Sequence, residues 1–265
     1  MTADDMPHPP RAVFDLDDTL IIGDIGEAVF AQLLANGHRM SLTWNDYQLL
    51  LRRNTFVAYT AVVQAMKGLR IADIEEAVRC VGDSGTGEIT IEGLRVPVPR
   101  PHQIMTWLIR HLSLRGFDIA VISASTEFAV RIVCPKWFGI PEHRSFGVSS
   151  IVEAGIVTGE LKLPIPLGEG KKTVYERALG IDPPYIAGGN SANDISMLNM
   201  VRENGLVIWL GEDRVSFEVM KAKLSGTRLF RFIPRPLRDA AATVRRLVPA
   251  DAQLTLADML IARRD

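Results

Sequence analysis

The residues best suited to chemistry in this chain lie at widely separated places, mostly where an apolar run gives way to polar side chains. Ala12 to Leu20 reads AVFDLDDTL, so Asp15, Asp17, Asp18 and Thr19 come directly after a short apolar stretch. A buried parallel strand has this appearance where its carboxyl end opens into a site. Crowding such carboxylates is costly unless a cation or good donors accompany them, so a metal ion is expected there. Ser123 and Ser125 close the run FDIAVISAS, Lys171 stands in GEGKK, and Asn190, Asn193 and Asp194 belong to GNSAND after the run YIAG. Carboxylates, one lysine and a divalent cation suit a phosphoryl group, whose transfer needs an in-line nucleophile and stabilised equatorial oxygens.

Elements able to bring these places together can be read from the periodicity. EAVFAQLL is apolar at helical spacing and stops at Gly37; WNDYQLLLRR, FVAYTAVVQAMKGL and IEEAVRCV continue as helices. No convincing strand is expected until past residue 100, although VGDSGTGEITIEGLRVPVPRP has room for a small turn or strand before its prolines halt it. From Pro101 a helix, HQIMTWLIRHLSLRG, leads into the strand FDIAVISAS, and a further helix begins at Glu127. GVSSIVEAGIVTGEL resembles a hairpin appended to the sheet, GEGKKTVYERALG is a helix ended by Gly180, GLVIWLG is another strand and LFRFI a further candidate. The tail LRDAAATVRRLV alternates apolar and basic residues as an amphipathic helix does. Sequential strand-helix units predict an α/β fold with a doubly wound parallel sheet. Ligands of such sheets sit outside the strand carboxyl ends, where Asp15, Asp17, Thr19, Ser123, Lys171, Asn190 and Asp194 would converge.

Composition narrows the function classes. The chain has 265 residues, 47% of them hydrophobic, enough for one large domain and a smaller one. A net charge of -1 without a basic run argues against nucleic acid as a partner. Small molecules are expected instead. Cys80 and Cys134 lack metal-type spacing and read as reduced thiols. No window has the ~18 apolar residues of a spanning helix, and a cytoplasmic location without membrane association is expected.

In order and strand context, DLDDT, the strand ending in Ser123, GEGK and GNSAND resemble the four motifs of the haloacid dehalogenase superfamily, over about residues 12 to 211. The resemblance implies a core domain of residues 1–22 and 98–265 and a small helical cap, residues 23–97, of the phosphoserine-phosphatase-like kind. It also implies Mg²⁺ as cofactor, with Asp15, Asp17, Asn190 and Asp194 around it, and a small phosphorylated metabolite as substrate. Asp15 takes the place of a nucleophile that forms an aspartyl-phosphate, and Asp17 that of a general acid. Side chains two apart on a strand share a face, so both can reach one substrate, and an acid at Asp17 favours phosphate esters because a halide leaving group needs no proton. Ser123 would donate to the phosphoryl oxygens, and Thr19 and Asn193 would also bind the substrate. Lys171 would neutralise charge. Counting from Lys171 puts Val174, Ala178 and Leu179 on a buried face, whereas counting from Lys172 lands on Glu176, so Lys172 reads as solvated.

Several positions depart from the family or stay open. Asn190 stands where a carboxylate is usual, which lowers the expected metal affinity and admits a weakly catalytic binder of phosphorylated ligands as an alternative, alongside a phosphotransferase. Asp24 is read either as a reader of a substrate cation or as a helix cap, with Glu27 the weaker candidate. Alignment puts Thr60 where the branch carries a carboxylate-holding arginine; Arg52 and Arg53 are out of register. The AVISAS strand, GEGK and GLVIWLG also resemble bacterial phosphorylcholine phosphatases. Trp44, Tyr47, Phe56 and Tyr59 therefore read as cap core or as rings over a quaternary ammonium. Oligomeric state is not fixed by the sequence.

Overall fold

A computed structural model describes residues 9–84, 87–211, 214–224 and 229–234. The chain runs β1 (Arg11–Phe14), β2 (Ile21–Ile22), α1 (Ile25–Ala35), α2 (Trp44–Arg53), α3 (Thr55–Ala65), α4 (Ile71–Ser84), β3 (Glu88–Ile91), β4 (Leu94–Pro97), β5 (Arg100–Pro101) and α5 (Gln103–Leu114). It continues with β6 (Asp118–Thr126), α6 (Glu127–Phe138), β7 (Ser145–Val148), β8 (Ser150–Glu153), β9 (Ile156–Leu161), α7 (Glu169–Leu179), β10 (Ile186–Gly189), α8 (Ile195–Leu198), β11 (Leu206–Gly211), α9 (Arg214–Ala222) and β12 (Leu229–Pro234).

Among the described residues six strands form one parallel sheet in the order β12-β11-β10-β1-β6-β7. β1 and β11 are apolar on both faces because helices cover both sides of the sheet; Val13, Phe14, Val207 and Ile208 are all buried. The chain leaves β1 toward β6 on one side and later returns to β10 on the other. The crevice between the carboxyl ends of β1 and β10 is therefore the switch point at which doubly wound sheets bind ligands. There Phe14 sits opposite Gly188, and the Asp15 N–H donates to the Gly188 carbonyl at 3.0 Å.

Between β1 and β6 the chain builds α1 to α4 and the β3–β4 hairpin. β2 and β5 pair antiparallel, Ile21 opposite Pro101 and Ile22 opposite Arg100, so departing and returning strands run side by side. Phe30, Trp44 and Tyr47 fill the centre of this region, with ring centroids 5.5 to 6.0 Å apart. Among the described residues no helix is long and apolar enough to cross a membrane.

Three local expectations need correction. No convincing strand is expected before residue 100, yet the segment with room for a small turn or strand holds a regular hairpin, closed by Gly93 at φ +81°. The hairpin β8–β9 is not part of the main sheet. It pairs with itself and bonds to the α3–α4 turn: the Gly68 N–H reaches the Val157 carbonyl at 2.8 Å, the Val157 N–H the Leu69 carbonyl at 2.9 Å and the Ile71 N–H the Gly155 carbonyl at 2.9 Å. In α7 the buried face is Lys171, Tyr175 and Leu179, while Ala178 is exposed. Tyr175 and Leu179, four apart, pack in one cluster, and the face they share leaves Ala178 outside it. The tail read as LRDAAATVRRLV lies outside the described residues.

Candidate active site

Asp15 follows β1 directly and is buried under the loop that runs on to Ile21. Its Oδ2 accepts the Thr19 hydroxyl at 3.0 Å and its Oδ1 accepts Lys171 Nζ at 2.6 Å. Lys171, in the first turn of α7, also donates to Asp194 Oδ1 at 2.6 Å, and its side chain is only 2% exposed. Gly170 makes that approach possible, because a Cβ there would run into the Ile165 carbonyl. Asp194 is fully buried. Its Oδ2 accepts the Asn190 and Ser191 N–H groups, each at 2.9 Å, and the Ser191 hydroxyl at 3.1 Å. One ammonium thus joins carboxylates that follow two neighbouring strands.

Asp17 lies on the other side of Asp15. Its Oδ1 accepts the Ile25 N–H at 2.8 Å, and its Oδ2 accepts both the Ser123 and Ser125 hydroxyls at 2.8 Å. Asp18 has a positive φ of 53°, a conformation Asp tolerates better than most residues, and its Oδ1 accepts the Gly23 N–H at 3.0 Å. Asp24 caps α1 by accepting the Glu27 N–H at 2.8 Å, and its other oxygen accepts the Tyr59 hydroxyl at 3.2 Å. A pocket of about 190 Å³ opens over this group, lined by Asp15, Asp17, Asp18, Asp24 and Lys171, with Thr55, Tyr59, Ala124, Leu167, Asn190, Ser191 and Asn193.

Burial sets the electrostatics. Desolvation, helped by the nearby charges of Asp194 and Asp17, pushes the Asp15 carboxyl up to about 7 against the pull of Lys171. Burial also raises Asp17, despite the donors from Ile25, Ser123 and Ser125. Asp24 is held well above the carboxylate range by burial and by repulsion from Asp17 and Glu27. Burial alone would lower Lys171, but Asp15 and Asp194 outweigh it and its ammonium is held more firmly than usual. The negative charge of Asp24, followed by burial, raises the Tyr59 hydroxyl.

The expected residues are brought to one place, with differences in aim. Asp15, Asp17, Asp24, Lys171, Asn190 and Asn193 line the pocket; Asp194 stands behind Lys171. Thr19 and Ser123 do not line it: both are buried, Thr19 holding Asp15 and Ser123 holding Asp17. Lys172 is exposed, 3.9 Å from Glu176. Thr60 turns its hydroxyl to the Phe56 and Val57 carbonyls, and the residues of α3 that face the pocket are Thr55 and Tyr59, one turn apart. Trp44 and Tyr47 are core, Phe56 is exposed and Arg52 and Arg53 face solvent. Sequence reasoning missed the bond from Ser125 to Asp17. Its one signal was spacing, since residues two apart on β6 share a face.

The donor set can be tested against a divalent cation. Of the described residues lining the pocket, four are acids, Asp15, Asp17, Asp18 and Asp24, and one is a formal cation, Lys171. That imbalance in a poorly solvated place favours a bound positive charge. Among the described residues no group of three or more His, Cys, Asp or Glu is arranged to hold a metal ion. The oxygens of Asp17 and Asp194 already carry protein donors. Each Asp15 oxygen also takes a donor, Thr19 on Oδ2 and Lys171 on Oδ1, but only one apiece. With a lone pair left on each, the Asp15 carboxylate and the Asn190 amide fit Mg²⁺, which keeps several waters and takes few protein oxygens.

Residues 12–199, well over half of the chain, match the family model of haloacid dehalogenase-like hydrolases. The chain belongs to that family. No curated protein matches the sequence. Solved structures similar to this hydrolase include a protein of unknown function from Bordetella pertussis Tohama I, 16% identical with a TM-score of 0.63 over 83% of this chain and 98% of that one. A phosphoserine phosphatase in apo form is 20% identical with a TM-score of 0.51, over 84% and 94% of the two chains. A phospho-aspartyl intermediate analogue of phosphoserine phosphatase gives 19% and 0.51 over 83% and 93%. At these identities the shared property is the fold.

Proposed function

We propose that this hydrolase is an Mg²⁺-dependent phosphatase that cleaves a small phosphomonoester through an aspartyl-phosphate on Asp15. The observation that carries the reading is the Lys171 ammonium, 2.6 Å from both Asp15 Oδ1 and Asp194 Oδ1, beneath a pocket at the switch point of the sheet. Lys171 favours the ionised Asp15, the form that attacks, and would oppose the charge of an incoming phosphoryl group. As the bond from Asp15 to phosphorus forms and the ester bond breaks, Asp17 gives a proton to the leaving oxygen; burial holds that carboxyl toward its protonated form. Water activated by Asp17 then releases phosphate. Asp15 and Asn190 would hold Mg²⁺, which supplies charge neutralisation at the phosphoryl oxygens. Residues 23–97 act as a cap that limits the substrate to a small metabolite.

Phosphate release from an aryl phosphate, with and without Mg²⁺, tests the reading. The wild type is expected to need the ion, and Asp15→Asn to lose at least about a hundredfold in kcat. Equal release by the variant removes Asp15 as nucleophile.

A second reading, a binder of phosphorylated ligands with little turnover, is favoured by one observation: Asn190, not a carboxylate, faces the pocket. Asn190→Asp separates the two. On the phosphatase reading it tightens Mg²⁺ binding, read by calorimetry, while kcat at saturating Mg²⁺ changes less than about tenfold. A rise from background to rapid turnover supports the binder.

A further inference from the structure

Asp17 Oδ2 accepts two serine hydroxyls, Ser123 and Ser125, both at 2.8 Å. Each hydroxyl also accepts a peptide N–H: the Ser125 N–H reaches Ser123 Oγ at 2.9 Å, and the Gly26 N–H reaches Ser125 Oγ at 3.1 Å. Each therefore has one proton to give, and both give it to the same oxygen. Two donors fill both lone pairs of Oδ2, and the Ile25 N–H holds Oδ1, so the direction of this carboxyl is set by the groups around it. The two serines differ in surroundings. Ser123 adjoins Ala124, which lines the pocket, whereas Ser125 is tied to the first turn of α1. A Cβ at Gly26 would come within 2.7 Å of Ser125 Oγ, so this close seat depends on a glycine in α1.

We infer that Ser125 is a positioning residue for Asp17, holding its carboxyl in place when Ser123 turns its hydroxyl to the phosphoryl group. The inference rests on the phosphatase reading above. When Ser123 turns away from Asp17 Oδ2, Ser125, itself held by the Gly26 N–H, keeps that oxygen fixed. The proton passes from Asp17 to the leaving oxygen as the ester P–O bond breaks and the Asp15–phosphorus bond forms. A well-aimed acid matters for a poor leaving group and hardly for a good one.

The test compares kcat for a simple alkyl phosphate and for p-nitrophenyl phosphate in wild type and Ser125→Ala, with folding checked by circular dichroism. Loss of aim lowers kcat for the alkyl ester by about tenfold more than for the aryl ester. A merely structural loss lowers both by the same factor, and that result, like no change in either, overturns the inference. Ser125→Cys keeps the shape of the side chain, slightly enlarged, and weakens the donor; it is expected to move the ratio the same way by a smaller factor, and carries the test if Ser125→Ala does not fold. Failure of the phosphatase reading is seen separately, as equal aryl-ester turnover by wild type and Asp15→Asn.

Discussion

Lys171 shows how much one side chain can hold. A buried ammonium between Asp15 and Asp194 is stable only with both partners, and they are stable only with it. Lys171→Met keeps most of the length and removes the charge, leaving two buried carboxylates facing each other. The expected cost is about 3–5 kcal/mol in urea unfolding at pH 7.5. It should shrink toward pH 5, because protonation relieves the repulsion; a cost that stays constant with pH would mean that water already solvates both acids. Lys171, Asp15 and Asp194 were legible in the sequence because each follows or opens an element whose apolar face fixes its direction. Aim within the site was not. Ser123 lies on the expected strand end yet points to Asp17, since a hydroxyl finds the nearest acceptor and spacing does not say which that is. Tyr59, read from the sequence as cap core or as a ring over a quaternary ammonium, instead gives its hydroxyl to Asp24, and Thr60, one residue or about 100° further round α3, turns its own to the helix backbone.

At the level of elements, the strands that carry the site depend on absent side chains. A Cβ on Gly188 would meet the Phe14 ring at 2.6 Å, and one on Gly189 would meet Asp194 Cβ at 2.6 Å. β10 can therefore lie beside β1 while Asp194 folds back over it. Gly189→Ala should cost about 1–3 kcal/mol by overpacking and lower phosphate release by displacing Asp194 and, through it, Lys171. Unchanged turnover would show that Lys171 does not need Asp194 in place. Most elements were legible because long apolar runs and helical periodicity mark covered strands and helices. β7 was not: SFGV is four residues at the edge of the sheet with no alternation to betray it. The attachment of the β8–β9 hairpin was also hidden, because its bonds to the α3–α4 turn are between peptide groups, which carry no sequence signal.

For the molecule as a whole, the site works against stability. Asp15 is raised from 3.8 to about 7, and Asp17, Asp24 and Glu27 are raised as well, all chiefly by burial. A carboxyl whose pKa is higher in the folded than in the unfolded chain favours folding below its unfolded value and loses that contribution as pH rises through the folded value. In EDTA the urea midpoint should therefore fall between about pH 4 and pH 7, and Asp24→Asn, which preserves the cap on α1, should flatten the slope. Added Mg²⁺ should recover part of the loss near pH 7.5 by binding the folded form. A midpoint that rises over this interval in EDTA would contradict the electrostatics described here.

The pairing of Ile21–Ile22 with Arg100–Pro101 has an architectural consequence. The two ends of the intervening segment stand one strand spacing apart, about 4.8 Å, so a linker of a few residues could bridge them without reaching across the sheet. A segment joined to its host at such a narrow neck can be exchanged between relatives or shortened by deletion while the strand ends bearing the acids stay where they are. If that segment is the cap of the proposed phosphatase, recombination there alters which molecules are admitted and leaves the bond-breaking machinery intact.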